Sequence, residues 1–126
     1  MSSGFVFIFM IFMHVLDDFF IQAAGCLSFL KTKDFWEKEA PEELYKNDYK
    51  MALLAHGISW AFMIMLPIFI LNGFKLSLGI STAFWINAWI HMYVDDLKAN
   101  KKKINLIVDQ CIHYVQIIIT ALVFLI

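Results

Sequence analysis

The sequence predicts an all-α, polytopic membrane protein with four transmembrane helices in an up-down bundle. Three observations predict it. Hydrophobic residues make up 61% of the 126, charged residues only 17%, and mean hydropathy is +0.70; a soluble domain of this length carries more charge and interrupts its apolar runs sooner. Four apolar segments each approach the ~20 residues needed to cross a hydrocarbon core. The links after the second and third segments are short, which favours antiparallel neighbours. A single domain over residues 1–126 follows.

The first span is expected near residues 5–30. It resembles a secretory signal only superficially, because it lacks a basic leading region, is too long, and carries His14, Asp17 and Asp18 in its middle; it is expected to be retained. The second span, near 51–71, is closed by Pro67 and Asn72-Gly73, which make the link to the third a tight turn. The third lies near 76–96 and the fourth near 104–126, joined by the polar link 98–103. The link 31–50 is long and mixes acids, lysines and aromatics. An interfacial helix or hairpin fits it as well as a solvated loop does, with Trp36, Tyr45 and Tyr49 suited to the headgroup region.

Nine of the ten lysines flank the links 31–50 and 98–103, Lys75 alone lies on the other side, and there is no arginine. The positive-inside rule then places both lysine-rich links in the cytoplasm and both termini outside, in an inner (cytoplasmic) membrane. A formal net charge of -1 and the absence of a basic helix argue against a nucleic-acid partner. Cys26 and Cys111 show neither paired nor metal-type spacing, so they are expected to be packing thiols rather than a disulfide.

The four histidines, His14, His56, His91 and His113, fall one to each span. Three have a carboxylate four residues away: Asp18 after His14, Asp95 after His91, and Asp109 before His113. Residues four apart share one helix face. Three stripes result: His14, Asp18, Gln22 and Cys26; Asn87, His91 and Asp95; and Asp109, His113, Gln116 and Thr120. In the four-span topology all four imidazoles approach one level in the cytoplasmic half. Ionisable groups at such depth face a partner, the bundle interior or a water-filled cavity.

Imidazole and carboxylate in an apolar cavity form the ligand set for zinc, manganese or non-haem iron. The expected ligands are His14, Asp18, His56, His91, Asp95, Asp109 and His113, with Asp18, Asp95 and Asp109 as the candidate catalytic carboxylates. That is too many donors for one tetrahedral ion, which favours a two-metal site able to activate water against a phosphoryl group. Gln22 and Gln110 are expected to orient substrate or a ligand. Lys98 fits either a snorkelling interfacial lysine or a phosphate binder. Asp17 and Asp96 are open between site members and solvated neighbours, and Trp60, Trp85 and Trp89 read as packing or belt residues. Two other readings use the same chain: a proton or ion relay through the His/Asp groups, and a phage-type membrane effector that acts by oligomerising. A homo-oligomer would also enlarge an interior too small to enclose a lipid.

His14-x-x-x-Asp18-Phe19-x-x-Gln22, the second-span His56, His91-x-x-x-Asp95-x-x-Lys98 and Asp109-Gln110-x-x-His113 together resemble a family of small bacterial and phage membrane proteins known as domain of unknown function 3307. The resemblance covers nearly the whole chain. Asp17 departs from it, standing where a small residue is expected, and the 31–50 link is individual to this sequence. The His/Asp layout also resembles membrane-bound metal-dependent hydrolases. That likeness implies a phosphoester substrate, a lipid headgroup or lipid-linked intermediate reached from the cytoplasmic leaflet.

Overall fold

The computed structural model describes all of residues 1–126 and contains only helices and turns. Helix α1 spans Ser3–Ala24, with the Ser2 hydroxyl accepting from the Phe5 amide at 3.2 Å as its N-cap. Its geometry is α to Val15, then widens to a π-turn over Leu16–Ile21. The expected 5–30 segment is therefore shorter than the apolar run suggests. Gly25 is extended (φ -92°, ψ 168°) and ends α1, after which α2 (Leu27–Leu30) and α3 (Lys33–Glu39) cross one end of the molecule. A single 3₁₀ turn, Glu43–Tyr45, leads to α4 (Asp48–Leu71).

Pro67 does not end the second helix. It lies inside α4, which continues to Leu71; helices in apolar surroundings tolerate proline where neighbouring groups satisfy the freed backbone. The turn belongs to Asn72-Gly73-Phe74, with φ of 60° at Gly73 and 58° at Phe74. The Phe74 amide donates back to the Phe69 carbonyl at 2.7 Å, a Schellman-type closure that glycine enters without Cβ strain. Helices α5 (Leu78–Ala99) and α6 (Leu106–Leu125) follow, capped by the Ser77 hydroxyl and the Asn105 side-chain carbonyl.

Three helical stretches, Ser3–Ala24, Glu43–Leu71 and Leu106–Leu125, are long and apolar enough to cross a membrane. Helix α5 matches them in length at 22 residues, but Ser81, Thr82, Asn87, His91 and its charged end dilute its apolar character. Each long helix packs on two others, α1 on α4 and α6, and α5 on α4 and α6. Helices α4 and α5 approach closely at Gly57, where a Cβ would lie 2.5 Å from the Ala88 carbonyl oxygen.

Polarity is inverted relative to a water-soluble fold. Phe5, Ile8, Phe12, Phe20, Ile86, Ile119 and Val123 all face outward, whereas His14, Asp17, His56, His91, Asp95, Asp109 and His113 are at most 1% exposed. An apolar cluster including Val6, Met10, Ile64, Ile68 and Ile117 fills the interior toward one end. That end is where the two chain termini meet, the Ser3 hydroxyl donating to the Leu125 carbonyl at 3.2 Å. Cys26 and Cys111 are exposed, not packed as expected.

Candidate metal centre

The polar layer is built from all four long helices. Gly57 lets α4 and α5 approach, and so His56 meets His91 with their Nε2 atoms 2.9 Å apart. Asp18 of α1 brings Oδ1 to 3.7 Å from His56 Nε2 and 3.8 Å from His91 Nε2. From α6, Asp109 and His113 sit one turn apart with Oδ1 and Nε2 separated by 3.2 Å. Two donor groups result: Asp18 with His56 and His91, and Asp18 with Asp109 and His113, each with ligand atoms within 4.8 Å of one another. Asp18 belongs to both.

The donors fit a cation. Ligands ~2.0–2.2 Å from an ion lie ~3.0–3.5 Å from each other in tetrahedral or octahedral arrangement, and the closest pairs here fall near that range. His113 Nε2 and Asp109 Oδ1 are buried and make no hydrogen bond, although they face each other. Buried polar atoms are almost always satisfied, so a pair of bare acceptors pointing together is the arrangement a cation satisfies.

The tautomer of His113 is set from behind. Gln116 spends its amide N–H groups on the carbonyl and side-chain oxygen of Asn87, both at 3.2 Å, so its Oε1 is free to accept from His113 Nδ1 at 3.1 Å. Asn87 is itself held by donating to the Ala83 carbonyl and the Thr120 hydroxyl. In the neutral ring the proton therefore sits on Nδ1 and the Nε2 lone pair faces the centre, the usual support for a ligating histidine.

His14 is placed differently from the expectation. Trp60 donates its indole N–H to His14 Nδ1 at 2.8 Å, which leaves Nε2 as the donor to Gln110 Oε1 at 3.0 Å. Both ring nitrogens are occupied, and His14 lies outside both donor groups. Its role is to hold Gln110, whose amide donates to Asp18 Oδ2 at 2.8 Å and Asp109 Oδ2 at 3.1 Å. Gln110 is thus the bracket between the two carboxylates.

Asp95 also stands apart from both donor groups. Its Oδ2 lies 3.7 Å from His56 Nε2 and 2.7 Å from the ammonium of Lys31. Lys98 donates to Asp109 Oδ2 at 3.0 Å and approaches Asp95 Oδ1 at 3.5 Å. Gln22 is not at the centre: it donates to Asp17 and, at 2.9 Å, to the Ser59 hydroxyl, and Ser59 donates to Asp17 at 2.8 Å. Asp17 is fully buried within this separate triad. Asp96, by contrast, is a surface partner of Asn100 and Lys101.

Lys31 and Ser59 contact site residues and were missed by sequence reasoning, and Trp60, expected as a packing or belt residue, also donates to His14. Trp60 is fully buried, stacked on His91 with ring centroids 4.3 Å apart, whereas Trp85 and Trp89 are about half exposed, as belt residues would be. No protein family, curated protein or solved structure matches the chain.

Proposed function

We propose that the protein is a four-helix, inner-membrane metal-dependent hydrolase of phosphoesters, with α5 as the fourth span and the polar layer in the cytoplasmic half. The observation that carries this reading is the shared carboxylate. Asp18 faces two donor groups at once, and paired ions on a common ligand suit in-line displacement at phosphorus. His56, His91 and Asp18 would hold one divalent ion; Asp18, Asp109 and His113 would hold the other. Bound zinc, manganese or iron supplies Lewis acidity and brings the pKa of bound water toward neutrality.

The protein's own groups supply order. Gln110 keeps Asp18 and Asp109 turned inward, Gln116 keeps the His113 lone pair on the centre, and Trp60 packs on His91 to exclude water from its face. Asp95, beside His56, is the carboxylate left over for proton transfer. The apolar outer surface suits a lipid or lipid-linked phosphoester presented from the bilayer, and the motif likeness to domain of unknown function 3307 belongs to this same proposal. A through-membrane relay is disfavoured by the apolar cluster of Met10, Ile64, Ile68 and Ile117 beyond the polar layer.

The test is hydrolysis of bis(p-nitrophenyl) phosphate and of phosphatidic acid by detergent-purified protein supplied with manganese or zinc. Turnover that chelator abolishes and Asp18→Asn lacks is the expected result. Metal-loaded protein inert toward both would overturn the hydrolase reading.

A further inference from the structure

Lys31 and Lys98 both reach the edge of the centre, and both meet Asp95, Lys31 at Oδ2 and Lys98 at Oδ1. Lys98 Nζ lies 3.0 Å from Asp109 Oδ2, and Lys31 Nζ lies 2.7 Å from Asp95 Oδ2, itself 3.7 Å from His56 Nε2. Lys98 therefore touches a member of one donor group, and Lys31 reaches the other through Asp95. Neither blocks the donors, because Lys98 uses Oδ2 of Asp109 and leaves Oδ1 bare.

Both ammoniums are also the more open part of the cluster. Their side chains are 14% and 27% exposed, against 0–2% for Asp95, Asp109, His56, His91 and His113. Lys31 does not hang loosely. Asn100 donates to its carbonyl at 3.0 Å and accepts from the Lys33 amide at 2.7 Å, and Trp36 donates to the Leu30 carbonyl at 2.7 Å. The stretch that carries Lys31 is thereby tied to the end of α5.

Charge gives the reason for two cations here. Asp18, Asp95 and Asp109 against Lys31 and Lys98 leave one negative charge, which two divalent ions would convert into an excess of three positive. A cluster so charged within an apolar protein favours an anionic ligand. Each ammonium has three donors and spends no more than two on the carboxylates.

We infer that Lys31 and Lys98 form a two-point clamp for a phosphate group lying across the metal centre. This rests on the metal-centre reading above and assigns the recognition of the substrate's anionic group to these two residues. A phosphomonoester headgroup and free phosphate share the chemistry that is recognised.

The experiment uses full-length protein loaded with manganese and freed of excess metal, with orthophosphate binding followed by calorimetry and metal content measured on the same samples. Lys31→Met and Lys98→Met are expected to retain the metal and to bind phosphate about tenfold more weakly each, the loss of one charge-assisted hydrogen bond. Lys38→Met, on an exposed lysine, should match wild type, and retained metal certifies that a variant is folded. A dihexanoyl phosphatidic acid arm separates the sources: tighter binding than orthophosphate points to a lipid headgroup, equal binding to free phosphate. Metal-loaded lysine variants that bind phosphate like wild type would overturn the clamp and leave the metal centre standing. A wild type that takes up no metal would overturn both.

Discussion

Trp60 and Gln116 act through histidines. Removing the indole donor in Trp60→Phe leaves His14 Nδ1 buried without a partner, a loss of about 1–3 kcal/mol, so the thermal midpoint in detergent should fall. Metal content should not change, because His14 lies outside both donor groups and phenylalanine still packs on His91; loss of metal in this variant would show that the indole N–H bond to His14 supports the centre. Gln116→Leu removes the acceptor that keeps the proton on His113 Nδ1. Zinc titration should show affinity lower by about 10–100-fold, the usual cost of losing such support, and unchanged affinity would contradict the role given to Gln116. Three of the imidazoles and their carboxylates were legible in the sequence as i,i+4 pairs in apolar segments, and His56 as a lone histidine in the second span. The contacts of Trp60, Ser59 and Lys31 were not. Their partners lie on other elements, 46, 42 and 64 positions away, and no spacing rule reaches across helices.

Two elements make the site possible, and both depend on local backbone geometry. The π-turn over Leu16–Ile21 places Asp17 and Gln22, five apart, in contact, while Asp18 still faces the centre. A uniform α-helix sets neighbouring residues about 100° apart, so the four-residue stripe predicted His14 with Asp18 but put Gln22 with the wrong partner. Such turns are frequent at functional sites, and the regular spacing used to read the sequence carries no sign of one. On α4, Gly57 permits the approach to Ala88 that sets His56 against His91. Gly57→Ala should force these helices apart at a cost of about 1–3 kcal/mol, lowering the thermal midpoint and weakening metal binding together. A variant as stable as wild type would show that the helices have room to give.

For the whole molecule, the inverted polarity and the all-helical architecture followed from composition and segment length. The weaker apolar character of α5 did not, because its buried polar stripe of Asn87, His91 and Asp95 was counted as site rather than as a burden on the span. The proposed orientation can be checked with single cysteines introduced into a Cys26→Ser, Cys111→Ser background. Ser3→Cys should be labelled by an impermeant maleimide from the periplasmic side and Lys38→Cys only after the membrane is opened; the reverse pattern would invert the topology. Stability and topology are secondary to whether Asp18 joins two metal sites. The most direct measurement is elemental analysis of purified wild type beside Asp18→Asn, His113→Ala and His56→Ala. Two equivalents of zinc, manganese or iron are expected in wild type, about one in each histidine variant, and essentially none in Asp18→Asn. Metal-free wild type, or an Asp18→Asn protein as fully loaded as wild type, would contradict the shared role of Asp18.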